Sequence, residues 1–457
     1  MERFDVLVIG TGSGMIIASS AVGTGFKTAV VDQGPMGGTC LNVGCVPSKM
    51  LIYPVDVITA LYEAKALGVH GNISRVDFKN IMNRMHTLVN RDSNQQAQAV
   101  LATPNLKWFN QQGEFIDDYT MQIGNETIRA ELIFIVSGAR VAVPKFKGVE
   151  AINYLTSDTV LNLETPPKSI IIIGGGYVGV EYAHFFGGIG VKTTLIQRNL
   201  RLVPDEEPEI SELLRRELSK RIEVYTNIEV FEVKQSGSEK IVVARNRQDN
   251  SLHEFSAETL MIATGRMPNS DILKPERTGV KLDEYGFIKV NEFLETSKKK
   301  IWALGDAIGK QMFKHAANYE AGIAWHNAVH DHKVAMDYSA TPHAIFTYPQ
   351  IASVGLKEAE AKAQGYNLLV GTANYRDTAM GGAMGEPNGF VKVIVENKTG
   401  RILGAHLIGP EASSLIQEIV NAMAIGDRTY APIIRTMHIH PALSEVVQNA
   451  FGSLHPA

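Results

Sequence analysis

The sequence predicts an α/β protein: two doubly wound parallel-sheet domains followed by a C-terminal α+β domain. Three observations carry this expectation. A short β-branched strand near the N-terminus runs into a glycine-rich turn and a small-residue helix. The same arrangement recurs from Ser169 onward. Beyond residue 340, strand-like and helix-like stretches alternate with no such turn. The composition is that of an ordinary globular chain, 45% hydrophobic and 20% charged over 457 residues, a length that fits roughly two to four domains. A net charge of −4 leaves no basic footprint for nucleic acid or an anionic membrane surface. No run of about 18 apolar residues is present, so no transmembrane helix is expected. Met1 leads straight into a strand-like segment without a signal-peptide pattern.

Residues 4–9 form an apolar run rich in β-branched side chains, the pattern of a buried parallel strand. Gly10-Thr11-Gly12-Ser13-Gly14 follows, then a helix-like segment through Ala21, and residues 28–31 read as a second strand ending on Asp32. Strand, glycine turn, helix, strand and terminal acid make a dinucleotide-binding βαβ unit. Gly10, Gly12 and Gly14 let the backbone approach a pyrophosphate, the helix N-terminus supplies partial positive charge, and Asp32 accepts from ribose hydroxyls. The third glycine position of the usual fingerprint is Met15, so helix and strand are expected to pack differently there.

Residues 169–173 open into Gly174-Gly175-Gly176-Tyr177-Val178-Gly179, a helix through Phe186 and a strand over 191–196. Each unit is followed by a similar strand and turn: 133–136 with Ser137-Gly138-Ala139-Arg140, and 260–263 with Thr264-Gly265-Arg266. The echo points to two Rossmann-like dinucleotide domains of related build. The acid expected at the end of the second strand for NAD is Gln197, followed by Arg198, with Arg201 nearby. An arginine there suits a 2′-phosphate, which favours NADPH; the alternative is that these arginines form a solvated turn. A buried strand from Lys300 stops on Gly305-Asp306, placing a carboxylate where such sheets bind ligands. Lys298-Lys299-Lys300 reads as a solvated turn. Strands at 344–347, 389–396 and 401–409 alternate with helices at 357–364 and 411–424, the expected dimerisation module.

Cys40 and Cys45 are the only two cysteines. A disulfide between them requires Cα atoms roughly 4.4–6.8 Å apart, so the backbone must leave a regular helix, which Gly44 permits. Closing so small a loop stabilises a fold by only about 2 kcal/mol. The pair is either two unrelated buried cysteines or a disulfide that opens and closes during a reaction. In a reducing cytoplasm, the compartment implied by two cysteines and no secretory signal, a disulfide is more often catalytic than structural. Near the C-terminus, His438 and His440 precede Glu445. With no third ligand close by, metal binding is not expected there, whereas Glu445 can orient the His440 imidazole for acid–base work. His326, His330 and His332 read as an exposed helix end.

GGTCLNVGCVPSK, the two glycine fingerprints, ATGRMPN, ALGDA and HPALSE resemble, together and in order, the pyridine nucleotide–disulfide oxidoreductases over the whole chain. The resemblance implies an FAD-binding domain at 1–150, an NAD(P)-binding domain at 151–272, a segment completing the FAD domain at 273–340 and an interface domain at 341–457 of a homodimer. It implies FAD at Gly10, Gly12, Gly14, Asp32, Lys49 and Asp306, with further cofactor contacts at Gly138, Gly174, Gly176, Gly179, Glu181, Arg198 and Gly265. Lys49 is expected beside the flavin's reactive nitrogen, paired with Glu181. Cys45 is implied as the flavin-proximal sulfur and Cys40 as the sulfur that exchanges with substrate. His440, held by Glu445, is implied as the base acting on the other subunit's disulfide.

The activity implied is FAD-dependent NAD(P)H:disulfide oxidoreduction of the dihydrolipoyl dehydrogenase type. The alternative is NADPH-driven reduction of a low-molecular-weight disulfide, because TGSG, KHAAN, ASSLIQ and IHPALSEVV look most similar to the mycothione reductase branch. Lack of a C-terminal cysteine pair and of an N-terminal metal-binding extension disfavours mercuric reduction. A non-catalytic flavin-binding scaffold is the reading from another class; Cys40, Cys45, Lys49, Glu181, His440 and Glu445 speak against it, because pure binding requires none of them. The expected partner is a small or lipoyl-type disulfide.

Overall fold

The computed structural model describes residues 1–386 and 388–457. The chain forms two units, one of Met1–Ser48, Met82–Ala142 and Gly265–Asp337, the other of Lys49–Ile81, Val143–Thr264 and Tyr338–Ala457.

In the first unit, the Glu2–Ile9 strand pairs in parallel with Thr28–Val31 on one side and Glu126–Ile135 on the other. Central placement explains its unbroken apolar run: Val6, Leu7 and Val8 are fully buried. Leu106–Phe109 extends one edge, and Thr120–Ile123 with Gly113–Asp117 extends the other in antiparallel fashion. The Glu126–Ile135 strand starts well before the expected 133. Its first half pairs with Thr120–Ile123 and alternates exposed and buried side chains, whereas only its last residues are continuously buried. Ile301–Ala303 adds a parallel strand beside it, with Trp302 stacked on Phe134 at 5.3 Å. That strand ends earlier than expected, and Gly305–Ile308 forms a 3-10 turn. The lysine run before it is more tied than a solvated turn, because Lys298 Nζ donates to Asp118 Oδ1 at 2.8 Å.

In the second unit, a parallel sheet runs in the order Glu223–Tyr225, Lys192–Ile196, Ser169–Ile173, Thr259–Ile262. A three-stranded antiparallel sheet of Ile228–Ser236, Glu239–Asn246 and Leu252–Ala257 accompanies it. The C-terminal part is a six-stranded antiparallel sheet ordered Pro342–Ile345, Gln350–Gly355, Ile402–Gly409, Phe390–Glu396, Leu368–Asn374, His455–Pro456. Ile416, Ile419 and Met423 lie on one face of the Ala412–Ala424 helix and bury against this sheet.

One helical stretch, Gly38–Leu67, is by length and composition alone apolar enough to cross a membrane, which the absence of a continuous apolar run did not suggest. A turn at Val43-Gly44 interrupts it, and its Leu51, Ile52 and Val55 are buried in the fold.

Candidate active site

The two glycine turns share one backbone device. Gly10 and Gly174 both have φ of +113°. A Cβ on Gly10 would lie 2.1 Å from the Val136 carbonyl oxygen, and one on Gly174 would lie 2.2 Å from that of Ala263. Each turn therefore runs hard against the end of the neighbouring parallel strand, and only glycine fits. Gly12 and Gly176 face open space instead, as a turn that admits a pyrophosphate must. The third position differs between the turns. A Cβ on Gly179 would overlap the Gly174 carbonyl, whereas in the first turn the close approach falls one residue early, with Gly14 against Val8. Met15 packs on the core instead. Gly138 and Gly265, with φ of +67° and +127°, also have nothing near their Cβ positions.

Asp32 Oδ2 accepts from Thr11 N and Thr11 Oγ1, each at 2.7 Å, and Oδ1 accepts from Gly34 N at 2.9 Å. A carboxylate has about four acceptor sites, so one remains for a ribose hydroxyl. The crevice beside it is lined by Gly10, Val31, Ser137 and Asn269, and Ser137 Oγ is buried with no hydrogen-bond partner among the described residues. Asp306 is pushed above the usual carboxyl range by burial, against the opposing pull of Arg266, whose Nε lies 3.4 Å away. An open glycine turn, a spare carboxylate site and an orphaned hydroxyl fit a dinucleotide such as FAD in the first unit.

Gln197 takes the place of Asp32 in the second unit. It is 7% exposed; its Oε1 accepts from Gly175 N at 3.3 Å and Arg198 N at 3.0 Å, and its amide donates to the Arg201 carbonyl. The amide thus shapes the turn without adding negative charge. The Arg198 side chain is 66% exposed, with only a 3.5 Å approach to Glu229.

Cys40 sits on the short Gly38–Asn42 helix and Cys45 opens the Cys45–Glu63 helix. The break between them depends on Gly44, where a Cβ would lie 2.9 Å from the Thr39 carbonyl oxygen. This departure from regular helix brings the two cysteines, which are unbridged, close enough to influence one another. The neighbouring Cys45 thiol, together with burial, holds the Cys40 thiol far above its ordinary value. Cys40 is half-buried and Cys45 exposed.

Lys49, four residues after Cys45, donates to both oxygens of the buried Glu181, at 2.8 and 3.0 Å. The Phe346 backbone N–H donates to the same carboxylate at 2.9 Å, and the Phe346 ring lies under the ammonium. His440 and Glu445 also meet: the imidazole Nδ1 is 2.8 Å from Glu445 Oε1, while Oε2 accepts from Ala442 N. The His440 hydrogen bond holds the Glu445 carboxyl below its usual range. The His440 side chain is 71% exposed, whereas the His438 side chain is 8% exposed and turned to Glu418. The two histidines thus engage different carboxylates. Among the described residues no group of three His, Cys, Asp or Glu is arranged to hold a metal; His326 and His330 stack at 4.4 Å at the helix end, and His326 Nε2 lies 2.9 Å from the His332 carbonyl oxygen.

Sequence reading missed the network of Ser13, Lys314 and Asn318. Lys314 Nζ donates to Ser13 Oγ at 3.0 Å and to Asn318 Oδ1 at 2.9 Å, and Ser13 Oγ donates to Asn318 Oδ1 at 2.9 Å. Lys314 and Asn318 share a helix face four residues apart; the signal lay in KHAAN, which spacing alone does not connect to Ser13.

A model of the pyridine nucleotide-disulphide oxidoreductases matches residues 4–329, and one of that family's dimerisation domain matches residues 341–451. The chain is 36% identical over 466 residues to a mycothione reductase of Mycobacterium tuberculosis, across 99% of this chain and 100% of that one. It is 32% identical over 454 residues to a dihydrolipoyl dehydrogenase of Chlamydia muridarum, across 97% and 95% of the two chains. Among solved structures, the HOCl-induced flavoprotein disulfide reductase RclA from Escherichia coli superposes with a TM-score of 0.87 at 27% identity, covering 98% of this chain and 99% of that one. The family match spans most of the chain, and the chain accordingly belongs to the pyridine nucleotide–disulphide oxidoreductases, flavoenzymes that act on sulfur with NAD(P)H.

Proposed function

We propose that the protein is an NADPH-dependent reductase of a low-molecular-weight disulfide of the mycothione type, working as a cytoplasmic homodimer. The observation that carries the cofactor choice is the replacement of a ribose-binding acid by the inward-turned Gln197 beside the exposed Arg198. A neutral amide next to an exposed guanidinium that is only loosely paired with Glu229 suits a 2′-phosphate, which an acid would repel. The full-length similarity to a mycothione reductase supports the substrate class. The second reading, a dihydrolipoyl dehydrogenase, rests on similarity nearly as extensive.

In this reading Gly10, Gly12, Gly14, Asp32, Gly138 and Asp306 hold FAD, while Gly174, Gly176, Gly179, Arg198 and Gly265 hold NADPH. Bound flavin supplies the hydride chemistry between nicotinamide and disulfide. Lys49, fixed by Glu181, presents a cation on the helix that carries Cys45. Cys40, as a thiolate, attacks one sulfur of the substrate; a mixed disulfide forms and a thiolate leaves, taking a proton from His440. Cys45 then attacks Cys40, releasing the second thiol and closing the Cys40–Cys45 bond. One NADPH and one proton balance each disulfide reduced to two thiols. Cys45 and burial push the Cys40 thiol up, the direction in which a nearby base helps form the thiolate.

The test is anaerobic turnover of mycothione, lipoamide, glutathione disulfide and bis-γ-glutamylcystine, each with NADH and NADPH. Highest kcat/KM with NADPH and a glycosylated or peptidic thiol disulfide supports the proposal. Highest kcat/KM with NADH and lipoamide overturns it in favour of the second reading.

A further inference from the structure

Lys314 opens the Lys314–Val329 helix. A cation in the first turn adds to the partial positive charge already present at a helix N-terminus, an arrangement that is electrostatically unfavourable without a nearby anion. Burial also works against the charge, pulling the ammonium below its ordinary range. Among the described residues no carboxylate forms an ion pair with it. Its hydrogen bonds go to two neutral oxygens, Ser13 Oγ and Asn318 Oδ1. An ammonium has three donors, so one N–H remains. Cys40 and Cys45, once ionised, favour its charge against the effect of burial.

The backbone explains how a residue so distant in sequence comes to this place. Ser13 follows Gly12 in the first glycine turn. Gly12 touches the start of the cysteine helix so closely that a Cβ on Gly38 would lie 2.8 Å from Gly12 Cα. Gly38 has φ of +62° and stands two residues before Cys40. The tether that holds Lys314 is therefore built on the turn that the cysteine segment packs against.

We propose that Lys314, held by Ser13 and Asn318, is the counter-cation of the reduced Cys40–Cys45 pair and keeps one of its sulfurs ionised. The proposal rests on Cys40 and Cys45 being the redox pair. Lys314 is distinct from Lys49, whose charge is already matched by Glu181. It acts on the pair through the field of its fixed ammonium, so it is a positioning residue for charge, while His440 moves the proton.

The test uses the flavin-loaded protein reduced anaerobically with NADPH and treated with iodoacetamide across pH 5 to 9, with adducts on Cys40 and Cys45 quantified by peptide mass. In K314M the midpoint of the faster thiol should rise by about one pH unit, and K314R should restore it. N318A, which loosens the tether but keeps the charge, should give a smaller rise and serves if K314M does not fold. A K314M midpoint that coincides with wild type overturns the proposal, as does K314R behaving like K314M. Loss of flavin from K314M with an unshifted midpoint also overturns it and assigns the lysine to the cofactor. Wild-type protein whose cysteines respond identically with and without NADPH contradicts the redox pair itself, a failure separate from that of Lys314.

Discussion

Lys49 Nζ lies 2.8 Å from Glu181 Oε2. Glu181 is 7% exposed, so the pair joins a half-exposed cation to an almost buried anion, and the anion fixes where the cation stands. Removing the carboxylate's charge should release the lysine while leaving its own charge in place. E181Q is expected to slow flavin reduction by NADPH about 10²-fold, through misplacement of the lysine. Stopped-flow absorbance of the flavin checks this, and K49R should be partly active where K49M is not.

His440 Nδ1 is committed to Glu445, which leaves Nε2 as the nitrogen that exchanges a proton with sulfur in the proposed mechanism. H440Q should lower disulfide turnover by about 10²- to 10⁴-fold while leaving flavin reduction by NADPH nearly unchanged. E445Q should cost less than H440Q, because the imidazole remains but loses its orienting partner. Comparing the two half-reactions in each variant separates this role from a general loss of folding.

Arg198 is exposed and loosely engaged, so its replacement should spare the fold. R198A should raise KM for NADPH by about 10- to 100-fold, the worth of one or two charge-assisted bonds to a phosphate. KM for NADH should change little. Steady-state kinetics with both nucleotides decides the point.

Lys392, 7% exposed at its side chain, is surrounded by Glu207 at 3.3 Å, Glu209 at 2.5 Å and Glu358 at 2.8 Å. K392M strips the buried Glu207 of its lysine, leaving it the Glu358 N–H at 2.6 Å and His406 at 4.0 Å, and should destabilise the second unit by about 3 kcal/mol in urea unfolding. Hydrogen bonds from Lys362 and Lys392 lower the Glu358 carboxyl from 4.5 to about 2. A depressed folded-state pKa contributes stability that is complete above pH 4.5 and lost as pH falls towards 2. Wild type should therefore be more stable than E358Q at pH 6, and that advantage should disappear by about pH 2.

The parallel strands were legible because burial on both sides demands an unbroken apolar run; residues 28–31 end on Asp32 as read. The antiparallel strands at Gly113–Asp117 and Ile228–Ser236 escaped, because one face of each is exposed and carries charge, which blurs the signal. Cys40, Cys45, His440 and Glu445 were legible as residue types at short spacing. Lys314 was not, since its relation to Ser13 exists only once the Lys314–Val329 helix packs against the Gly14–Gly23 helix that Ser13 precedes. The shift of close packing from Met15 to Gly14 was announced by the missing glycine, but its direction needed the position of Val8.

The central claim is that NADPH delivers electrons to Cys40 and Cys45. Protein treated anaerobically with NADPH, denatured and alkylated should carry a label on both cysteines, whereas untreated oxidised protein should carry neither. Labelling of both cysteines to the same extent without NADPH, or of neither with it, would contradict the account.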